Sequence, residues 1–193
     1  MRLQRFPMRD NWVRTRLLSP GLRHVPLLAV VIAVAVPAFE AAAHAPTVAA
    51  ADRLEASVLD ELNLVRLEHG LRQLRLSASL TEAADHHSLA MVRAGYFAHE
   101  SPDGSHFVAR IKGFYKPRAV RRKWTVGENL IWRTERLTAR AAVSAWLASP
   151  GHRENLLGPK FREVGISAVR AAGAPGVYGN RRVVVLTVDF GAR

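Results

Sequence analysis

The apolar residues of this chain change period once. Up to Leu147 they recur mostly at helical spacing, and from Glu163 onward they fall in β-branched runs, EVGISAVR at 163–170 and RRVVVLTVDFG at 181–191. Helical segments come first and strands last, which points to an α+β fold with helices stacked on a small antiparallel sheet. Leu54, Val58, Leu62, Val65 and Leu67 predict a helix over 51–69, stopped by Gly70. A second helix is expected to start at Ser79, as N-cap of a capping box closed by Glu82, and to run to Gly95. A third should follow Thr138, its N-cap, and carry Ala141, Ala142, Val143, Ala145 and Trp146 until Pro150 stops it. A short helical turn is expected in HRENLL. The two terminal strands, parted by AAGAPGVYGN, read as an antiparallel hairpin with a long connection. Segment 124–132 reads either as irregular chain or as a short strand.

Residues 1–43 stand apart. Six arginines, Arg2, Arg5, Arg9, Arg14, Arg16 and Arg23, precede the apolar run PLLAVVIAVAVPAF at 26–39. That run is shorter than the roughly 20 residues a bilayer core needs and Pro37 interrupts it, so it reads as the apolar stretch of an export signal. Ala41, Ala42 and Ala43 supply small side chains for cleavage before His44. The long arginine-rich lead argues instead for an uncleaved N-terminal membrane anchor, through which the protein would touch the membrane. Residues 44–53 read as a linker and 54–193 as one domain, of a size one core commonly spans. A monomer outside the cytoplasm is expected, whether periplasmic, extracellular or envelope-associated.

The chain has no cysteine. Disulfides, thiol catalysis and Cys-ligated metal are therefore excluded. Of the formal charge of +12, residues 1–43 contribute +4 and the remainder +8. Basic residues cluster at Lys116, Arg118, Arg121, Arg122 and Lys123, and again at Arg133, Arg136 and Arg140. Such a surface would draw anionic lipid or acidic polymer through its field, although a solvated charged face is the plainer reading. No nucleic-acid motif accompanies the clusters, so no nucleic-acid partner is expected.

Three turn-rich segments place ionisable groups beside Gly, Pro or Ser: FAHESPDG at 97–104, GENL at 127–130 and SPGHRENLL at 149–157. They contribute His99, Glu128 and His152. Two imidazoles and a carboxylate form a ligand set for a divalent metal such as zinc, with a fourth position left for water. The spacing lacks the i, i+4 arrangement that makes HExxH specific, so three turn residues bonding nearby backbone remain the competing reading. Glu128 could instead hold a histidine in place. Ser88, Ser101, Ser105 and Ser149 lie in no nucleophile elbow, which argues against a serine hydrolase. His152 and Glu154 form H-x-E, but the paired cysteines of zinc deaminases are missing. Of His86 and His87, adjacent in a helix, one should face the core and the other water. Trp124, Trp132, Trp146 and Phe190 read as core anchors.

Taken in order, LNLVRLEHGLRQL at 62–74, LTEAADHHSLAM at 80–91, FAHESPDG, GENL, AWLASPGHRENLL at 145–157, FREVGIS at 161–167 and VDFG at 188–191 resemble the CAP superfamily. This superfamily groups cysteine-rich secretory proteins, antigen 5 and plant pathogenesis-related proteins, and the likeness is to its bacterial SCP-like domains. It covers residues 55–191 and implies an α-β-α sandwich with a small central antiparallel sheet, in an extracellular or envelope setting. It also implies a cleft lined by two His and two acidic residues, of which His99, Glu128 and His152 match three. Leu147, Ala148 and Ser149 stand where eukaryotic relatives carry the fourth, Glu154 being the nearest substitute. Asn63 and Arg66 match the family's first helix and are expected to tie it to the cleft, with Asn129 and Ser149 as further supports. The function so implied is a non-enzymatic module binding a lipid, sterol-like or cell-wall ligand or a protein partner at this cleft. A metal-dependent hydrolase using the three residues is the alternative, and a structural interaction domain a second one.

Overall fold

The computed structural model describes residues 45–117, 123–134 and 136–193. Residues 1–43, where an export signal or membrane anchor is expected, and Arg118, Arg121 and Arg122 of the basic cluster lie outside the described residues. Five strands form one sheet: β1 (Thr47–Ala50), β2 (Arg75–Leu76), β3 (Thr125–Arg133), β4 (Glu163–Ala174) and β5 (Arg181–Ala192). The order across the sheet is β1-β4-β5-β3, antiparallel throughout, and β2 adds a short parallel pairing at Glu163 and Val164 of β4. One face packs against α1 (Asp52–Glu68), α4 (Ala139–Leu147) and α5 (Pro150–Leu156), and the other against α2 (Ala78–Ala94) and α3 (Phe107–Phe114). This is the expected α-β-α sandwich.

Strand alternation sorts the core. Along β5, Val184, Leu186, Val188 and Phe190 face α1 and α4, where Leu62, Trp146 and Phe161 are buried with them. Val183 and Val185 face α2, against Met91, Val92 and Tyr178. Each such side chain, wholly removed from water, contributes about 1.5–3 kcal/mol. Trp146 and Phe190 are the core anchors expected of them, whereas Trp124 and Trp132 are only partly buried.

Helix α2 lies on the sheet at backbone distance because β4 has no side chain at Gly165. A Cβ there would stand 2.0 Å from the carbonyl carbon of Leu80 and 2.2 Å from the amide nitrogen of Thr81. Gly165→Ala is therefore expected to force helix and strand apart and to cost about 2 kcal/mol, read as a lowered denaturation midpoint. A midpoint equal to that of the unmodified protein would show that α2 does not need this approach.

The structure amends four local expectations. Residues 47–50, inside the expected linker, pair with Val169–Ala172 as an edge strand, because small residues suffice where only the backbone has to bond. Segment 124–132 is strand from Thr125 onward, in register with β5 from Thr125 opposite Ala192 to Arg133 opposite Val184. The N-cap position of α2 is Ser77, two residues before the expected cap: Ser77 donates its backbone N–H to Val164 O at 2.8 Å, which fixes the chain there, and no side chain caps the helix. Helix α3 has no counterpart among the expected helices. By contrast, Thr138 does cap α4, accepting from the Ala141 N–H at 3.2 Å, and β4 and β5 form the expected hairpin.

Candidate functional site

Glu128 sits in β3 on the face turned to α2 and α3, directly across from Asp189 of β5. Its side chain is wholly buried and both oxygens are engaged. Oε1 accepts from His99 Nδ1 at 2.7 Å, and Oε2 pairs with the Arg110 guanidinium of α3. Arg110 also donates to the His99 carbonyl at 2.9 Å, so it fixes both the ring's backbone and the carboxylate that orients the ring. One buried ion pair thereby locks the loop that carries FAHESPDG onto the sheet.

His152 arrives from the other helical layer. Asn129 donates to the His152 carbonyl at 3.0 Å, and Asn155 donates to Asn129 Oδ1 at 2.9 Å and to the Glu128 carbonyl at 3.1 Å. Helix α5 can approach this closely because β3 has glycine at 127, where a Cβ would stand 2.6 Å from Asn155 Oδ1. The His99 and His152 ring centroids are 6.5 Å apart. Around them lies an open cleft of about 350 Å³, lined also by Glu100, His106, Phe107, Ser149 and Asn155.

The two histidines differ electrically. The bond to Glu128 raises the His99 pKa, whereas burial, followed by repulsion from His99, lowers that of His152. His99 accordingly keeps its proton to higher pH than His152 does. Raising pH should deprotonate His152 first, an order that imidazole NMR titration reads directly; the reverse order would mean that Glu128 does not stabilise the His99 cation. Behind them Asp189 is fully buried, and burial, then the nearness of Glu128, pushes its carboxyl well above the ordinary range.

A family model for the cysteine-rich secretory protein family, CAP, matches residues 59–190. The chain belongs to the CAP family. The Bacillus subtilis uncharacterized protein YkwD is 32% identical over 120 residues, 61% of this chain and 43% of its own length. This chain therefore spans less than half of that curated relative. An outer surface protein from Borrelia burgdorferi superposes with a TM-score of 0.63 at 17% identity, over 77% of this chain and 98% of its own. An extracellular SCP-domain protein from Bacillus anthracis gives a TM-score of 0.57 at 26% identity, over 74% and 41%.

Within this CAP domain, His99, Glu128 and His152 do meet at one cleft, with Ser149 on its wall and Asn129 beneath. Glu154 is exposed and lines a different hollow beside Pro150 and Phe161, so it does not replace the missing acid. Arg66 is wholly buried and donates to Leu156 O at 2.7 Å and Gly158 O at 3.2 Å, tying α1 to the end of α5. Asn63 instead closes the loop after α1, exchanging bonds with the Leu74 backbone at 2.7 and 3.1 Å, and does not reach the cleft.

A metal ion does not fit the expected set. Glu128 has committed its oxygens to His99 and Arg110, and no group of three or more His, Asp or Glu among the described residues is placed to hold a cation. Glu128 orients His99, as the alternative reading had it. Arg110 and Asp189 are the site residues that sequence reasoning missed. Their signal was a charge on a buried face: Arg110 shares its side of α3 with Phe107, Ile111 and Phe114, and Asp189 interrupts the apolar run VVVLTVDF.

Proposed function

We propose that this chain is an exported, non-catalytic module of the cell envelope whose cleft at His99, Glu128 and His152 binds a cell-wall polymer. One observation carries the reading: the cleft is open, and its buried carboxylate, Glu128, is spent on internal bonds. Imidazoles, the Asn155 Oδ1, the Ser149 hydroxyl and the ring of Phe107 can bond and stack along a hydroxyl-rich chain that passes over the surface. Export is supported by the Arg-rich, apolar residues 1–43 and by the extracellular SCP-domain protein among its similar structures. No described helix is long and apolar enough to cross a membrane.

Isothermal titration with soluble cell-wall glycan fragments tests this. Binding is expected without turnover, and His99→Ala or His152→Ala should each weaken it about tenfold, the scale of one lost hydrogen bond at a charged group. Release of cleaved fragments would replace the binding module with a hydrolase that uses His99 as its acid or base. Unchanged affinity in both variants would move the polymer site elsewhere.

A further inference from the structure

At one end the sheet runs past the helical layer that covers it. Strand parity puts Arg170, Ala172, Arg182 and Val184 on the face turned to α1 and α4, and the loop before α4 adds Arg136 and Leu137. These residues bound a groove of about 590 Å³, distinct from the cleft and lined by none of its residues. Its floor is apolar, from Ala172, Val184 and Leu137, and its rim carries three exposed arginines. No acidic side chain among the described residues lines it, and none of the three arginines forms an ion pair with a described residue. From the three rim arginines over an apolar floor we infer that this groove docks the domain on a membrane surface rich in anionic glycerophospholipid headgroups.

Two features favour that occupant over a soluble acidic polymer. An apolar floor beneath cationic side chains suits an amphiphile, since arginine covers apolar surface with its stem while its guanidinium meets phosphate. Chain connectivity agrees. Thr47, which lines the groove, follows the apolar run ending at Phe39 by seven residues, 40–46. Seven residues span at most about 25 Å, so the connection between the groove's strand and that apolar run is short.

The test uses protein beginning at His44, which contains every described strand and helix and all three apolar cores. Co-sedimentation is measured with vesicles of phosphatidylcholine alone and of equal parts phosphatidylcholine and phosphatidylglycerol. Binding is expected only to the anionic vesicles and should fall as salt rises. Replacing the three exposed arginines together, R136Q/R170Q/R182Q, should weaken it on the order of a hundredfold, because each basic residue at an anionic surface is worth about a factor of five. An unchanged melting temperature checks that the variant is folded. Vesicle binding that survives the triple replacement overturns the proposal, as does capture of soluble polyphosphate with no binding to vesicles. His152→Ala should leave vesicle binding intact; its loss there would place the lipid in the cleft and overturn the groove. Because the polymer reading depends on cleft variants and this one on rim arginines, either can fail alone.

Discussion

Arg110→Met is expected to lower stability by about 3–5 kcal/mol, seen as a fall of roughly 10 °C or more in the melting temperature. The guanidinium side chain is 4% exposed and its partner Glu128 is 0% exposed, so removing one charge strands the other beyond the reach of water. His99 cannot make good the loss, because a single imidazolium at the cleft edge would have to neutralise Glu128 alone and would do so only while protonated. Asp189 supplies no countercharge, since burial and then the nearness of Glu128 hold its own pKa well above the ordinary range. The double variant Arg110→Met/Glu128→Leu separates causes: if stranded charge is the damage, the second replacement restores much of the stability. A single variant melting within about 2 °C of the unmodified protein would remove the ion pair from its place at the centre of the site.

Acid is expected to weaken the fold by on the order of 3 kcal/mol between pH 6.5 and 4, chiefly through His87. Burial holds this imidazole neutral and pushes its pKa down to about 4. A histidine of ordinary pKa in the unfolded chain binds a proton readily over that window, whereas the folded one does not, so the unfolded state gains as pH falls. The contribution is complete above pH 6.5 and lost progressively toward pH 4. His99 acts in the opposite sense: its raised pKa stabilises the fold at low pH, and that gain disappears as pH rises through its folded value. Denaturant unfolding measured at steps of pH should show the acid slope, and His87→Gln should flatten it. A slope unchanged in that variant would assign the acid sensitivity to other groups. The ring also has a structural duty, since Nε2 bonds the Ala98 carbonyl at 2.9 Å and holds the residue just before His99.

Helices α1 and α4 and the terminal hairpin were legible because each repeats its period over several turns or alternations, and periodic burial is written into sequence. The meeting of His99, Glu128 and His152 was legible only through the order of the motifs that surround them; spacing alone left metal ligands and turn residues side by side. Arg110 was hidden because α3 is a helix of eight residues, too short for its apolar stripe to stand out. β1 was hidden for a different reason. Thr47–Ala50 lie mostly exposed and carry small side chains, so their strand character comes from the partner they bond and not from what they bury. The role of Glu128 was open for a third reason: whether a carboxylate binds a metal or a neighbour depends on which donors reach its oxygens, and Arg110 comes from an element the periodicity did not show.

The side-chain bonds that build the cleft also finish the sheet. On the outer side of β3, Asn155 donates to the Glu128 carbonyl and Trp146 to the Leu130 carbonyl at 3.1 Å. On the outer side of β4, β2 covers Glu163 and Val164, Glu55 accepts from the Ala168 N–H at 2.7 Å, and β1 covers Val169–Ala172. A twelve-residue strand and a nine-residue strand would otherwise offer free backbone to any passing chain. The cleft wall and the closing of the sheet edge thus share Asn155, and a change there that loosens the cleft also opens a seam for aggregation.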